Sequence, residues 1–183
     1  MARLLLACVA AAAIGCGAPA ATPQPGQNAL WTPPPDWVTV SNVESTIQLT
    51  LPPWLEMFDN HGAIFANEPP VVPGATFISL WAQGPAGIEN QPLQGEDLAA
   101  WTTRRLENPA EGVPTVTRVA LPAGAGIRYD RIDSDDGGYR WRIVVFAIQT
   151  PRGAAWLQLD GPPERWAARA DDLERVALLF RIR

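Results

Sequence analysis

Apolar and polar residues alternate along several stretches of the chain, as they do in strands that bury one face. In residues 46–51 every second residue is apolar (Ile47, Leu49 and Leu51), and the pair of prolines that follows ends the strand. The same reasoning predicts further strands, which cover residues 77–82, 116–121, 126–133, 139–150 and 154–160. Segments rich in Pro, Asp and Gly separate the last four strands, and they predict short turns between neighbouring strands.

Two segments have the periodicity of amphipathic helices. In residues 95–107, Trp101 falls among the apolar residues of one face, while Arg104 and Arg105 are predicted to point outward. Residues 163–176 carry the stronger pattern, an apolar stripe that includes Trp166 and Leu173. Proline at the first position of this helix is favourable, because its missing N–H has no partner there in any case.

The predicted order is strands, a helix, a meander of long strands, and a final helix followed by a short segment. An antiparallel sheet with helices packed against it would bury all of these apolar faces. The expected fold is therefore α+β, an α/β/α sandwich with a central antiparallel sheet and two main helices.

The first residues are typical of an export signal. Arg3 precedes an apolar run over residues 4–14, which is too short to span a bilayer as a helix. The run closes on Ala-Ile-Gly-Cys16, which resembles the lipobox of bacterial lipoproteins, where the cysteine thiol takes a diacylglyceryl group. We therefore expect a signal peptide at residues 1–15, lipidation of Cys16, and an extracytoplasmic protein anchored to a bacterial membrane. Cleavage behind Ala20, which would release a secreted protein, is the alternative.

A Pro- and Ala-rich segment follows the predicted lipidation site. Residues 16–35 carry no charge, and such a composition buries too little apolar surface to repay ordering. We expect it to tether a single globular domain formed by residues 36–183. Trp31 is the exception within the tether, because a large apolar ring could dock back on the domain.

Charge and cysteine content narrow the classes of partner. The protein has 19 acidic and 14 basic residues and a net charge of −5 at pH 7, with no dense basic run. A nucleic-acid partner is therefore not expected.

If Cys8 leaves with the signal peptide and Cys16 carries lipid, no cysteine remains for a disulfide, so burial must supply the stability.

Three short motifs, together with the order of elements, resemble the PsbP-like superfamily, which includes photosystem extrinsic subunits and bacterial lipoproteins. The motifs are a strand followed by Pro-Pro-Trp at 47–54, a strand and glycine turn at 119–124, and a closing helix ending in Phe-Arg at 164–181. Leu179 stands where serine is common in that family. The resemblance spans residues 37–183 and implies the sandwich fold, but it brings no catalytic residues.

One histidine is available for hydrolytic chemistry. His61 would have to serve a Ser-His-Asp arrangement, and its candidate nucleophiles are Ser41, Ser45, Ser79 and Ser134. None of these serines lies in a Gly-x-Ser-x-Gly turn, and Asn-His-Gly between apolar segments is more simply a turn. We expect no catalytic residue here.

A group of acids could offer oxygen ligands to a cation. The group consists of Asp130, Asp133, Asp135 and Asp136, but its spacing does not match an EF-hand, and turns favour Asp and Gly without any metal. A solvated hairpin is the preferred interpretation. Cation binding by Asp133, Asp135 and Asp136 is the alternative interpretation. We predict no metal or other cofactor. In the next strand, Arg140 and Arg142 lie on one face, where they could bind an anion or pair with these acids.

The absence of catalytic groups and the predicted anchor favour a non-enzymatic module that binds an envelope protein or supports an envelope complex. The eight tryptophans leave a carrier or sensor of an apolar or lipid-like ligand as an alternative. A hydrolase is the weakest alternative, because it depends on His61.

Overall fold

The computed structural model describes residues 31–44, 46–59, 61–69, 77–85, 96–106, 113–134 and 137–183. These residues contain the following strands: β1 (Val38–Ser41), β2 (Ile47–Leu51), β3 (Glu56–Asp59), β4 (Ala63–Asn67), β5 (Ser79–Gln83), β6 (Thr115–Leu121), β7 (Gly124–Ser134), β8 (Arg140–Thr150), β9 (Gly153–Gly161) and β10 (Arg181–Ile182). They also contain helices α1 (Leu98–Leu106) and α2 (Pro163–Leu179). The predicted lipidation site Cys16, the alternative cleavage site at Ala20, and Ser45, Asp135 and Asp136 lie outside the described residues.

The strands form two antiparallel sheets. The large sheet has seven strands in the order β3-β4-β5-β9-β8-β7-β6, and the small sheet has the order β1-β2-β10. β7, β8 and β9 pair over most of their length. The backbone at Gly153 has φ 123°, which a residue with a side chain rarely adopts, so this glycine permits the tight turn from β8 into β9.

The two helices pack on opposite faces of the large sheet. On one face α2 and the small sheet enclose the main core, which includes the fully buried Leu49, Leu157, Trp166 and Phe180. On the other face α1 lies over β7 and β8, with Trp101 against Tyr129 and Val145. The predicted α+β sandwich with a central antiparallel sheet and two main helices is confirmed.

Local sequence features set where the helices begin. At α1 the carboxylate of Asp97 accepts a hydrogen bond from the backbone N–H of Ala100 at 2.9 Å, which satisfies an N–H that has no partner within the helix. α2 begins at Pro163, as expected, and the backbone N–H of Trp166 donates to Pro162 O at 3.0 Å. α2 continues three residues beyond the predicted 163–176, because Val176 and Ala177 extend the buried stripe.

Four strands were not predicted from the sequence. β1 and β10 flank β2 in the small sheet, and β3 and β4 continue the large sheet beyond β5. β1, β3 and β10 have four residues or fewer, too few alternations to be distinguished from irregular chain. β4 is as long as β2, but its sequence, Ala-Ile-Phe-Ala-Asn, has no polar residue between its apolar ones.

The Pro-Pro-Trp motif and the closing helix meet in the structure. Trp54 Nε1 donates a hydrogen bond to Asp172 Oδ2 of α2 at 2.9 Å, and the guanidinium of Arg169 lies 4.7 Å from the Trp54 ring centre. These contacts fix the segment after β2 against the helix.

Trp31 packs on the domain, as its apolar ring suggested. Its ring centre lies 5.3 Å from that of Trp37 in an edge-to-face arrangement, and 4.9 Å from the guanidinium of Arg175 in α2. Within the described residues, no helix is both long and apolar enough to cross a membrane.

Candidate functional site

The face of the large sheet that carries α1 is only partly covered by the described elements. α1 lies over β7 and β8 and reaches Trp156 of β9 and Trp81 of β5, whereas the rest of this face, on β3, β4 and the far ends of β5 and β9, has no described helix above it. We call this second part the open half-face. Its members combine aromatic and polar groups: Phe58, Phe65, Asn67, Ser79, Trp81, Gln158 and Asp160.

A row of aromatic rings crosses the open half-face. Phe65 and Trp81 are cross-strand neighbours with nearly parallel rings, 6.1 Å apart between centres. Phe58 continues the row at the sheet edge, 5.7 Å from Phe65, and is 63% exposed. A large apolar ring with this exposure has hydrophobic surface that a partner can bury.

The side chain of Arg105, from α1, lies at the end of the aromatic row that is nearest this helix. Its guanidinium lies 5.8 Å from the ring centre of Trp81, 5.6 Å from that of Trp101 and 5.0 Å from that of Trp156. The prediction that Arg105 points outward is therefore wrong. Arg105 stands four residues after Trp101, so both side chains share a helix face, and cation–π attraction holds the guanidinium over the rings. Arg104, by contrast, is exposed and pairs with Glu96 at 2.8 Å.

A chain of polar side chains lies beside the aromatic row. Along one face of β9, Trp156 Nε1 donates to Gln158 Oε1 at 3.3 Å, and Gln158 Nε2 donates to Asp160 Oδ2 at 2.8 Å. Ser79 of the neighbouring β5 donates its hydroxyl to the other oxygen of Asp160. The carboxylate is thus a largely buried hydrogen-bond acceptor at one end of the chain.

The environment of Asp160 shifts its acidity. Burial raises the pKa of Asp160 above its ordinary value, while hydrogen bonds from Ser79, Gln158 and Trp141 act in the opposite direction. Hydrogen bonds to the charged form therefore offset part of the desolvation cost.

Two polar atoms of β5 add unsatisfied bonding capacity near the open half-face. Trp81 Nε1 and Gln83 Oε1 are both buried and have no hydrogen-bond partner among the described residues. They stand two residues apart, so their side chains emerge from the same side of β5. An unpaired buried donor and acceptor cost free energy in the folded protein.

A groove lies on the same face at the opposite edge of the sheet. It has a volume of about 500 Å³ and separates the first turn of α1 from β6 and β7. Leu98, Val116 and Ile127 supply apolar lining, and Asp97 and Arg118 supply charge.

The predicted acidic group does not form one cluster. Asp130 and Asp133 are both on β7, an odd number of residues apart, so they lie on opposite faces of the sheet. Asp130 contacts Arg142 at 2.7 Å and Arg128 at 3.2 Å. Arg142 therefore pairs with an acid, which is one of the two roles predicted for it. Arg140 is exposed.

On the face of the sheet that carries α1, Arg131 and Asp133 fix the end of this helix. Arg131 Nε lies 2.6 Å from Asp133 Oδ1, and Arg131 Nη1 donates to the carbonyl oxygen of Leu106 at 3.1 Å. Arg131 is 6% exposed. Among the described residues, no group of three or more potential ligands is arranged to hold a metal ion.

His61 lies in an exposed turn before β4. Its Nδ1 is 2.6 Å from Asp59 Oδ1, and 86% of its side chain is exposed. Ser79 is at the other end of the β4–β5 pair, opposite Asn67 and roughly 20 Å along the strand from His61. Ser134 is on β7, four strands away from β4 in the sheet. The hydrolase arrangement is therefore not formed with either serine.

The polar chain around Asp160 is the part of the site that sequence reasoning missed. Ser79 and Asp160 are far apart in sequence and meet only because β5 pairs with β9. The one available signal was the alternation of Trp156, Gln158 and Asp160 on one face of a predicted strand. Alternation identifies the face but not the strand that lies beside it.

No protein-family model matches the sequence, and no curated protein matches it. Solved structures share the fold at low identity. A Bacteroides thetaiotaomicron VPI-5482 protein is 13% identical with a TM-score of 0.51, and the match covers 79% of this chain and 48% of that one. The Saccharomyces cerevisiae Ran-binding protein Mog1p is 10% identical with a TM-score of 0.51, covering 80% of this chain and 95% of that one. This chain therefore spans about half of the Bacteroides protein.

The Mycobacterium tuberculosis protein LpqN, which is involved in cell envelope biogenesis, is 15% identical with a TM-score of 0.46. The match covers 80% of this chain and 90% of LpqN, but similarity at this level is too distant to carry an argument about function. The two matches with a TM-score of 0.51 show that this chain has an α+β sandwich fold also found in other proteins. Membership of the PsbP-like superfamily stays a prediction.

Proposed function

We propose that the protein is a non-enzymatic protein-interaction module, anchored outside the cytoplasm through lipid on Cys16, that serves an envelope protein or complex. The observation that carries this proposal is the open half-face, with Phe58 63% exposed at its edge. Aromatic side chains are enriched at the centre of protein interfaces, with polar groups around them.

The charged groups of the described residues support this proposal over catalysis. The acids that contact arginines on β7 each tie a helix to the sheet, so they serve the fold. The same fold occurs in Mog1p, which is a Ran-binding protein. A role in binding another protein is thus compatible with this architecture.

The open half-face is tested by a charge placed on its exposed ring. Phe58→Asp is expected to abolish co-purification of the partner from gently solubilised membranes, because a carboxylate cannot be buried without cost. Val38→Asp is the matched control, since Val38 is similarly exposed, at 59%, on the small sheet. Loss of the same partner in both variants, or in neither, would exclude the open half-face.

The anchor is tested separately. Cys16→Ser is expected to move the protein from the membrane to the soluble fraction and to abolish incorporation of a labelled fatty acid. If cleavage occurs behind Ala20 instead, the mature N-terminus is Ala21 in both proteins and neither carries lipid. That result would replace the anchored protein with a secreted one.

A second candidate function is favoured by the groove between α1 and β6. A volume of about 500 Å³ is within the range of small-molecule sites, and part of its lining is apolar. A carrier of an apolar ligand would show a reproducible mass excess in native mass spectrometry of the Cys16→Ser protein, and the excess would disappear on unfolding. A bare protein mass would leave the interaction module as the remaining proposal.

A further inference from the structure

The two edges of the large sheet differ in a way that bears on binding. β3 has four residues, and its register with β4 shifts between Met57 and Asp59. β6 has seven residues and pairs with β7 in continuous register from Thr115 to Leu121. Short, irregular edges resist the addition of another strand, whereas long, regular edges invite it.

β6 has few of the features that usually protect an edge. Its sequence, Thr-Val-Thr-Arg-Val-Ala-Leu, contains no proline and a single charge, and five of its seven residues are exposed. Among the described residues, β7 is the only strand that pairs with it. Alternate residues of such an edge direct their N–H and C=O groups away from the sheet, so about three or four residues offer backbone bonds to another chain.

The groove lies directly beside this edge. Val116 and Arg118 are on the α1 side of β6, where they line the groove together with Leu98 of the helix. A peptide strand added to β6 would direct every second side chain towards that side. The groove would accept these side chains, while the backbone bonds would hold the strand.

Arg118 indicates the charge of the occupant. Its side chain is exposed, and no ion pair connects it to the described part of the chain, unlike the arginines of β7. In a second copy of this chain, antiparallel pairing over the whole of β6 would place Arg118 opposite its own copy, which is unfavourable. A carboxylate on a different chain would be favourable at the same position.

We propose that β6 is a strand-addition site for an extended segment of a partner protein that carries an acidic residue opposite Arg118. This site is separate from the open half-face, which lies towards the other edge of the sheet, so it does not depend on the role proposed for Phe58. Backbone bonds to β6 give the site affinity, and Arg118 with the groove gives it selectivity.

Site-specific photo-crosslinking in the full-length protein tests this inference. Benzoylphenylalanine is introduced separately at Thr117 and Ala120 on β6, at Phe58 on the open half-face, and at Asp171 on the exposed side of α2. Cells that produce each protein are irradiated, and the attached segment is identified by mass spectrometry. We expect Thr117 and Ala120 to capture one segment of one protein, with an acidic residue in register with Arg118.

Charge reversal provides the decisive comparison. Arg118→Glu is expected to reduce the adducts of Thr117 and Ala120 about tenfold, because a cross-strand attraction becomes a repulsion. Replacing the facing acid of the captured segment by arginine is expected to restore them. Arg140→Glu, a reversal at another exposed arginine, should leave the adducts unchanged.

Each other outcome overturns the inference. Adducts of β6 with a second copy, with another part of the same chain or with a lipid would assign the edge to a different occupant. Adducts from Phe58 alone would remove the β6 site and leave the proposed interaction module standing. Adducts from none of the four positions would remove both, and adducts insensitive to Arg118→Glu would remove the acidic partner.

Discussion

Arg142 and Asp130 form a two-point contact across β8 and β7, with Arg142 Nε 3.0 Å from Asp130 Oδ1 and Arg142 Nη2 2.7 Å from Asp130 Oδ2. The Arg142 guanidinium also lies 4.8 Å from the ring centre of Trp166 in α2. Arg128 connects the same carboxylate to Glu174 of the helix, at 3.2 and 2.8 Å. Partly buried charge therefore helps to fix α2 against the sheet.

Removing the Asp130 carboxylate tests this coupling. Asp130→Asn is expected to lower the free energy of unfolding by about 2 kcal/mol, because two arginines lose a charged hydrogen-bond acceptor. Urea unfolding at pH 7 measures the change. Arg140→Gln is the control, since this arginine is exposed on the same face of β8, and it should change stability by less than about 0.5 kcal/mol. Equal effects in the two variants would mean that the Asp130 contact contributes nothing.

The close approach of β7 and β8 gives a second prediction. A Cβ added at Gly126 would overlap the carbonyl oxygen of Ala147, whereas a Cβ at Gly62 would have no atom within 4 Å. Gly126→Ala is therefore expected to cost about 2–3 kcal/mol, because the paired strands must shift apart. Thermal unfolding of Gly126→Ala and Gly62→Ala measures the difference. A Gly126→Ala protein as stable as Gly62→Ala would show that the strands separate without cost.

The sequence predicted the elements whose periodicity is strong. The alternation of residues 46–51 corresponds to β2, and the stripe containing Trp166 and Leu173 corresponds to α2. The small sheet could not be predicted, since β10 has two residues and pairs with β2 far earlier in the chain. Short strands form because a neighbouring strand offers backbone hydrogen bonds. The local sequence pattern does not indicate which strand that is.

The candidate site was less predictable than the fold. The helical pattern alone predicts that Arg105 is exposed to solvent. In the structure its guanidinium lies over the rings of Trp81 and Trp156, which belong to two strands that are far from each other in the sequence. In the sequence Ser79 is one of four candidate nucleophiles for His61, and only the pairing of β5 with β9 places it on Asp160. Both errors come from long-range pairing, which decides the neighbours of a side chain.

Asn42 gives a third prediction, in the connection between β1 and β2. Its side chain is 2% exposed, and its Oδ1 accepts hydrogen bonds from the backbone N–H groups of Thr46 and Ile47 at 2.9 and 3.0 Å. Its Nδ2 donates to Thr46 Oγ1 at 2.9 Å. Asn42→Ala is expected to cost about 2–4 kcal/mol, because it leaves buried backbone donors unpaired.

Thr39→Val is the comparison for Asn42→Ala, since it removes one part-buried hydrogen bond, the 3.0 Å contact with Thr50, from the neighbouring strand. Its expected cost is about 1 kcal/mol. Urea unfolding of both variants measures the difference. A smaller loss for Asn42→Ala than for Thr39→Val would mean that water replaces the amide in the turn.

Asp160 gives a prediction about pH. Burial raises the pKa of this carboxyl in the folded protein above the ordinary value of 3.8. The folded state therefore binds more protons than the unfolded chain between those two values, so the free energy of unfolding falls as pH rises through that range. The stabilising contribution is complete below the unfolded pKa and is lost as pH passes the folded pKa.

Asp160→Asn removes this titration while keeping the size of the side chain. We expect the stability of the native protein relative to Asp160→Asn to decrease as pH rises from below 3.8 to 7, measured by urea unfolding at several pH values. Asp171→Asn, which alters an exposed carboxylate of α2, is measured in parallel to account for the removal of one surface charge. An increase in the relative stability with pH would show the reverse: that Ser79, Gln158 and Trp141 favour the charged form by more than burial disfavours it, and that the Asp160 pKa is lowered.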